Sequence, residues 1–202
     1  MARGVIYVAY GRRAHDEAAA SIASLRAFHD WPVLVVGDAP VKGTAHKRFA
    51  DTGTPGRWAK VNLDQLAPWE QALFLDADTR VHGQLDIGFR LLANGYDLVL
   101  VPSRPQHNES LRHLGDAERN ATVAELPLDP LQLNTGVMWF GPGAAPLFAV
   151  WREEWARWKD KDQGALLRAL QRCPVAVALL GYPFNDEHGA VVEHRFGKAV
   201  AS

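Results

Sequence analysis

One cysteine in 202 residues excludes an internal disulfide framework and leaves no partner for a cysteine metal cluster. Cys173 stands before Pro174 and reads as structural, and a reducing compartment is expected. No apolar run approaches the roughly 20 residues that a membrane-spanning helix needs; residues 175–180 are strand-sized. No charged leader precedes Gly4-Val-Ile-Tyr-Val-Ala-Tyr10, which enters a strand-like run at once, so a soluble, cytoplasmic protein is expected. Charge of neither sign is in excess: 22 basic against 23 acidic residues leave a net charge of −1. Without a cationic field, nucleic acid and anionic membrane surfaces are not expected as main partners. An anionic ligand must therefore be met locally, by a metal, a few Lys or Arg, or backbone amides. Internal repeats and low-complexity tracts are also lacking.

What is present suits a globular core: 48% apolar and 22% charged residues, in a length that fits one domain over residues 1–202. Short apolar runs alternate with helical patterns, the rhythm of a layered α/β domain with a mixed, mostly parallel sheet. Strands are expected over 5–9, 33–36, 72–75, 97–101 and 136–140, with 175–180 and 191–192 closing the sheet. Helices are expected over 14–29, 58–66, 85–94, 145–158 and 163–172. Residues 40–56 read as a surface loop. The stretch 103–130, with Arg104, His107, Asn108, Arg112 and His113, reads as a substrate-side flap around one short helix. Trp151, Trp155 and Trp158 share a helix face and read as core packing.

The residues richest in chemistry are Asp76 and Asp78, at the end of the run Leu73-Phe-Leu-Asp-Ala-Asp-Thr79. In an extended backbone, i and i+2 side chains point to one side. At the carboxyl end of a buried strand they would face the crevice where open α/β sheets bind ligands. Two adjacent carboxylates repel unless a cation lies between them, and hard oxygen donors suit Mn²⁺ or Mg²⁺. A bare Asp-x-Asp is also an ordinary turn, so its companions decide the matter.

Those companions resemble a known family. Phe74-Leu-Asp-Ala-Asp-Thr79 with Leu85-Asp86 downstream is similar to the motif of the glycogenin and lipopolysaccharide galactosyltransferase family of GT-A glycosyltransferases. Ala59-Lys-Val-Asn62, Leu133-Asn-Thr-Gly-Val-Met138, Asp162-Gln-Gly164 and His194-Arg-Phe-Gly-Lys198 resemble four further family stretches, in the family's order. The resemblance implies a GT-A, Rossmann-like fold. It implies transfer of a hexose from a UDP-sugar to an acceptor, with retention at the anomeric carbon and Mn²⁺ preferred over Mg²⁺.

The expected roles follow. Asp76, Asp78 and His194 would hold the metal, although a histidine at a strand end is by itself more often a hydrogen-bonded residue. Ala9, Tyr10 and Gly11 would hold the nucleotide, with Tyr10 stacking on the base or merely capping its strand. Ala77, Lys60, Gly197 and Lys198 would meet the donor's diphosphate or sugar. Asn134, Asp162 and Gln163 would position sugar hydroxyls, which need polar partners of this kind. The plainer reading makes Asn134 a turn residue and Asp162 a helix N-cap. The family continues from its first lysine to a second one and Pro-Trp, where this chain has Ala199-Val200.

Rival readings are a haloacid dehalogenase-type phosphatase, with Asp76 as nucleophile and Asp78 as acid/base, and a nucleotidyltransferase. The first expects Thr two positions beyond the second Asp, where Arg80 stands. The second expects an N-terminal Gly-rich loop that is not seen. A nucleotide-sugar-binding protein without turnover is the non-enzymatic alternative.

Overall fold

The computed structural model describes residues 1–49, 54–104, 111, 113–126 and 131–197. Nine strands are described: β1 (Arg3–Ala9), β2 (Val33–Gly37), β3 (Ala45–Lys47), β4 (Gln71–Leu75), β5 (Thr79–Val81), β6 (Leu98–Pro102), β7 (Leu133–Phe140), β8 (Val177–Leu179) and β9 (Val192–His194). The helices are α1 (Arg12–Arg26), α2 (Pro55–Lys60), α3 (Leu63–Leu66), α4 (Asp86–Ala93), α5 (Asp116–Glu125), α6 (Ala145–Trp158) and α7 (Asp162–Arg172). Seven strands form one sheet in the order β3-β2-β1-β4-β7-β6-β8, and β5 pairs with β9 in a separate ribbon. Within the large sheet only β7 is antiparallel to its neighbours, β4 and β6. The sheet is mixed and mostly parallel, as expected.

Both faces of the sheet are covered, so its strands are apolar at successive positions rather than alternately. Ile6, Phe74, Leu100 and Met138 face a cluster built from α2, α3, α6 and α7. Val5, Tyr7, Leu73, Val99 and Trp139 face the opposite cluster, with Ala18, Ile22 and Leu25 of α1 and Phe89 and Leu92 of α4. The spacing of four and three in α1 is the stripe that seats it on the sheet. Trp151 and Trp155 are buried, so their core role stands.

Three expectations need correction. Residues 191–192 do not close the main sheet: the strand runs on through His194 and pairs antiparallel with β5, with His194 opposite Thr79. The loop expected over 40–56 contains β3, which extends the parallel edge beside β2. The helix expected over 58–66 is two short ones. At the break, the Asn62 side chain donates to the Trp58 carbonyl at 2.8 Å, a side-chain bond that competes with the helical ladder. Of the expected flap, α5 supplies the short helix, while His107, Asn108 and Arg112 lie outside the described residues.

Candidate metal and donor site

β4 delivers Asp76 to the carboxyl edge of the sheet, and the chain turns there at once. Thr79 N donates to the Asp76 carbonyl at 3.2 Å, and Thr79 Oγ1 donates to the same oxygen at 2.8 Å. Asp76 and Asp78 are thus in a turn, not in the extended backbone the spacing argument assumed. Their carboxylates converge for another reason. The β5–β9 ribbon sets His194 opposite Thr79, and Arg195 N donates to the Asp78 carbonyl at 3.0 Å. His194 Nε2 then lies 3.2 Å from Asp78 Oδ1 and 3.7 Å from Asp76 Oδ2. One ligand atom from each of the three residues falls within 4.8 Å of the others.

The convergence needs a glycine. Gly136 of β7 lies beside Asp76, whose amide donates to the Gly136 carbonyl at 2.8 Å. A Cβ at position 136 would stand 2.2 Å from His194 Cε1 and 2.7 Å from Asp76 Oδ2. No side chain fits there without moving a ligand. Two carboxylates and an imidazole form a donor set suited to Mn²⁺ or Mg²⁺ with positions left for other oxygens. The residues fit the cation.

Lys60, at the end of α2, reaches the same cluster. Its Nζ lies 3.0 and 3.2 Å from the two Asp76 oxygens and 3.4 Å from Asp162 Oδ2. Burial would lower its pKa, but the charges of Asp162 and Asp76 prevail and raise it, so it stays an ammonium ion. Asp162 opens α7 without capping it. Its carboxylate instead accepts from Thr135 Oγ1 and faces Lys60. Burial works against its charge, and Lys60 with the Thr135 hydroxyl more than offsets this, holding it below the usual carboxylate range. The Asp162 carbonyl accepts from Trp151 Nε1 at 2.8 Å, so the core tryptophan also fixes a site residue.

The two acids of this cluster differ. Loss of hydration pushes the Asp76 carboxyl above its ordinary range, despite Lys60 and His194, with Asp78 and Asp162 adding repulsion. Burial also pushes Asp78 upward, but the His194 hydrogen bond and charge and the Gly197 and Asp78 amides bring it down to about 2.

Of the remaining predicted residues, Tyr10, Ala77 and Gly197 border one cleft of about 340 Å³ beside Asp78. Tyr10 donates its hydroxyl to the Phe49 carbonyl at 3.2 Å. Ala9 is buried at the end of β1. Gly11 follows with φ 79°, its amide held by Asp38. The Gly197 amide donates to Asp78 Oδ2. Lys198 lies outside the described residues. Asn134 and Gln163 border a second cavity of about 250 Å³ with Ser103, Arg104, Asn185 and Asp186. Asn134 is inside β7, not in a turn, and its Oδ1 accepts from Gly136 N at 2.8 Å.

Sequence reasoning missed Gly136 as a packing requirement, Arg13 on the wall of the first cleft, and Asn185 behind His194. Gly136 was visible only as part of a motif. Pro183-Phe-Asn-Asp186 carries no signal beyond that of a turn.

No protein-family model and no curated protein matches the chain. Solved structures do. Mouse xyloside xylosyltransferase 1, in its apo form, superposes with a TM-score of 0.64 at 12% identity, over 98% of this chain and 99% of that one. The galactosyltransferase LgtC, in complex with donor and acceptor sugar analogues, gives 0.67 at 14% identity over 96% and 87%. The bifunctional glycosyltransferase WbbM gives 0.70 at 13% identity, over 98% of this chain and 46% of that one. The chain has the GT-A glycosyltransferase fold. At these identities the likeness is one of fold, and the GT-A fold brings the crevice at the sheet's carboxyl edge that Asp76 and Asp78 occupy. No described helix is long and apolar enough to cross a membrane.

Proposed function

We propose that the protein is a metal-dependent glycosyltransferase that moves a hexose from a UDP-sugar to an acceptor hydroxyl, with retention at the anomeric carbon. The observation that carries this reading is the meeting of Asp76, Asp78 and His194 at the end of β4, with Lys60 and Asp162 beside them. The likeness to LgtC, solved with donor and acceptor sugar analogues, supports the reaction class.

Asp76, Asp78 and His194 would hold Mn²⁺, or Mg²⁺ less well. When bound, the cation supplies Lewis-acid neutralisation of the charge that develops on the leaving diphosphate. Tyr10 and Ala77 border the cleft that would take the nucleotide, with Gly11 following Tyr10, and Lys60 adds positive charge on the donor side. Asn134, Asp162 and Gln163 hold sugar hydroxyls and orient the anomeric carbon. The bond from that carbon to the diphosphate oxygen breaks with its electron pair going to the oxygen. The acceptor oxygen bonds on the same face, and its proton passes to the departing diphosphate. Lys60 keeps Asp162 ionised and fixed, so that the carboxylate can stabilise positive charge on the sugar as the bond opens.

The test is release of UDP from a panel of UDP-sugars with Mn²⁺, with and without simple sugar acceptors. The expected result is turnover that Asp76→Asn and Asp78→Asn each reduce at least 100-fold. A protein that binds UDP-sugars and neither transfers nor hydrolyses them would be a binding protein, and the proposal would fall.

A further inference from the structure

The histidine of the site has a support that its sequence neighbourhood does not suggest. Asn185 is buried at the end of a short turn, nine residues before His194, and its Oδ1 lies 2.7 Å from His194 Nδ1. Three features fix this asparagine. Asn185 N donates to the Tyr182 carbonyl at 3.0 Å, and His194 N donates to the carbonyl of the adjacent Asp186 at 2.8 Å. The Asp186 carboxylate is paired with Arg104, which ties the turn to the end of β6. The imidazole is also held on its face, where the Phe196 ring stacks with centroids 4.2 Å apart and planes 25° apart. Gly136 leaves no free volume on a further side. The ring can turn little, and Nε2 points at Asp76 and Asp78.

A neutral imidazole carries its proton on one nitrogen and offers the other as a ligand. For Nε2 to bind a cation, the proton must be on Nδ1, buried away from water. That N–H needs an acceptor, and the group facing it is the Asn185 Oδ1. We propose that Asn185 is a positioning residue that, acting through His194, fixes the tautomer and direction in which Nε2 faces the cation. The inference rests on the metal reading above and adds to it a residue that touches neither the metal nor the donor's phosphates. Partners of this kind commonly change metal affinity 10- to 100-fold when removed.

The experiment measures Mn²⁺ affinity directly, by the loss of the free-ion electron paramagnetic resonance signal on titration of the protein. Asn185→Ala should weaken binding about 10- to 100-fold. Asn185→Asp keeps an acceptor facing Nδ1 and should restore binding to the wild-type value or tighter. In a His194→Ala background, Asn185→Ala should have no further effect, because the residue acts only through the ring. An Asn185→Ala protein that binds Mn²⁺ within twofold of wild type, while His194→Ala loses it, would overturn the inference and leave the metal reading intact. Wild type that fails to bind Mn²⁺ would overturn both. The wild type also carries a readout that needs no variant. In the Mg²⁺-loaded protein, long-range ¹⁵N–¹H spectra of labelled histidine should place the His194 proton on Nδ1, and a proton on Nε2 would contradict the assignment.

Discussion

Lys60 and Asp76 meet at 3.0 Å although they stand 16 positions apart with α3 and β4 between them, and the same ammonium reaches Asp162 at 3.4 Å. One buried cation thus serves two carboxylates, one at the end of β4 and one at the start of α7. Lys60→Met keeps the apolar stem and removes the charge, leaving two buried acids without their partner. Breaking a buried pair from one side costs on the order of 3 kcal/mol, which for a chain of this size lowers the melting temperature by roughly 6–12 °C. Thermal denaturation without metal checks this, and added Mn²⁺ should restore part of the loss. A variant melting with wild type would mean that the Lys60 charge adds nothing to stability through Asp76 and Asp162.

Asp76 and Asp78 should respond oppositely to neutralisation in the metal-free protein. The Asp78 carboxyl is depressed on folding, from 3.8 to about 2. Its stabilising contribution is complete above the unfolded value and is lost as pH falls through the folded one, between about pH 4 and 2. At 1.36 kcal/mol per unit, the fall is worth about 2 kcal/mol, so Asp78→Asn should melt several degrees lower at pH 7. Asp76 is shifted upward, which means its ionised form works against folding above that value. Asp76→Asn should therefore match or exceed wild-type stability at neutral pH while losing metal binding. Melting curves at pH 7 without metal settle the pair. Equal losses in both variants would contradict the assignment of these environments.

Much of this was legible in the sequence, and the limits have physical reasons. Apolar runs marked every strand of the large sheet except β3, whose Ala45-His-Lys47 is exposed at all three positions and carries no burial pattern. Of the β5–β9 ribbon, β5 was missed because its Thr79-Arg-Val81 carries no apolar run, and β9 was expected in the main sheet because nothing in 191–192 marks its pairing with β5. That ribbon is what brings His194 to Asp78, so the motif order could name the histidine but not explain its arrival. Asp162 could be seen as a cap or a ligand residue. The fold rules out the cap, by aiming the carboxylate at Thr135 and Lys60.

A chain of buried hydroxyls supports the Asp76–Asp78 turn. Tyr7 Oη lies 3.1 Å from Ser21 Oγ, which lies 2.9 Å from Thr79 Oγ1, which donates to the Asp76 carbonyl. Thr79→Val keeps the shape and leaves Ser21 short of a partner. A cost of about 1–3 kcal/mol is expected from the buried group left unpaired. Mn²⁺ affinity should also fall, since the turn that aims both carboxylates loses a tie. Urea denaturation together with Mn²⁺ titration checks both effects. A loss of stability with unchanged affinity would confine the hydroxyl chain to the core.

Gly136→Ala tests the crowding of the site from the other side. The added methyl would stand within 3 Å of both His194 and Asp76, so one ligand must move. Metal affinity should drop at least 10-fold, as when the support of a ligand is disturbed. Far-ultraviolet circular dichroism should keep the α/β signature. Unchanged affinity would show that the two residues do not act together on one cation.

The most direct test of the central claim is a thermal-shift titration of UDP with and without Mn²⁺. UDP at about 100 times its dissociation constant should stabilise the native protein by roughly 2.7 kcal/mol when Mn²⁺ is present. The shift should be small without the metal and absent in Asp78→Asn and His194→Ala. A UDP shift that ignores Mn²⁺, or no shift with any nucleoside diphosphate, would contradict a metal site at Asp76, Asp78 and His194.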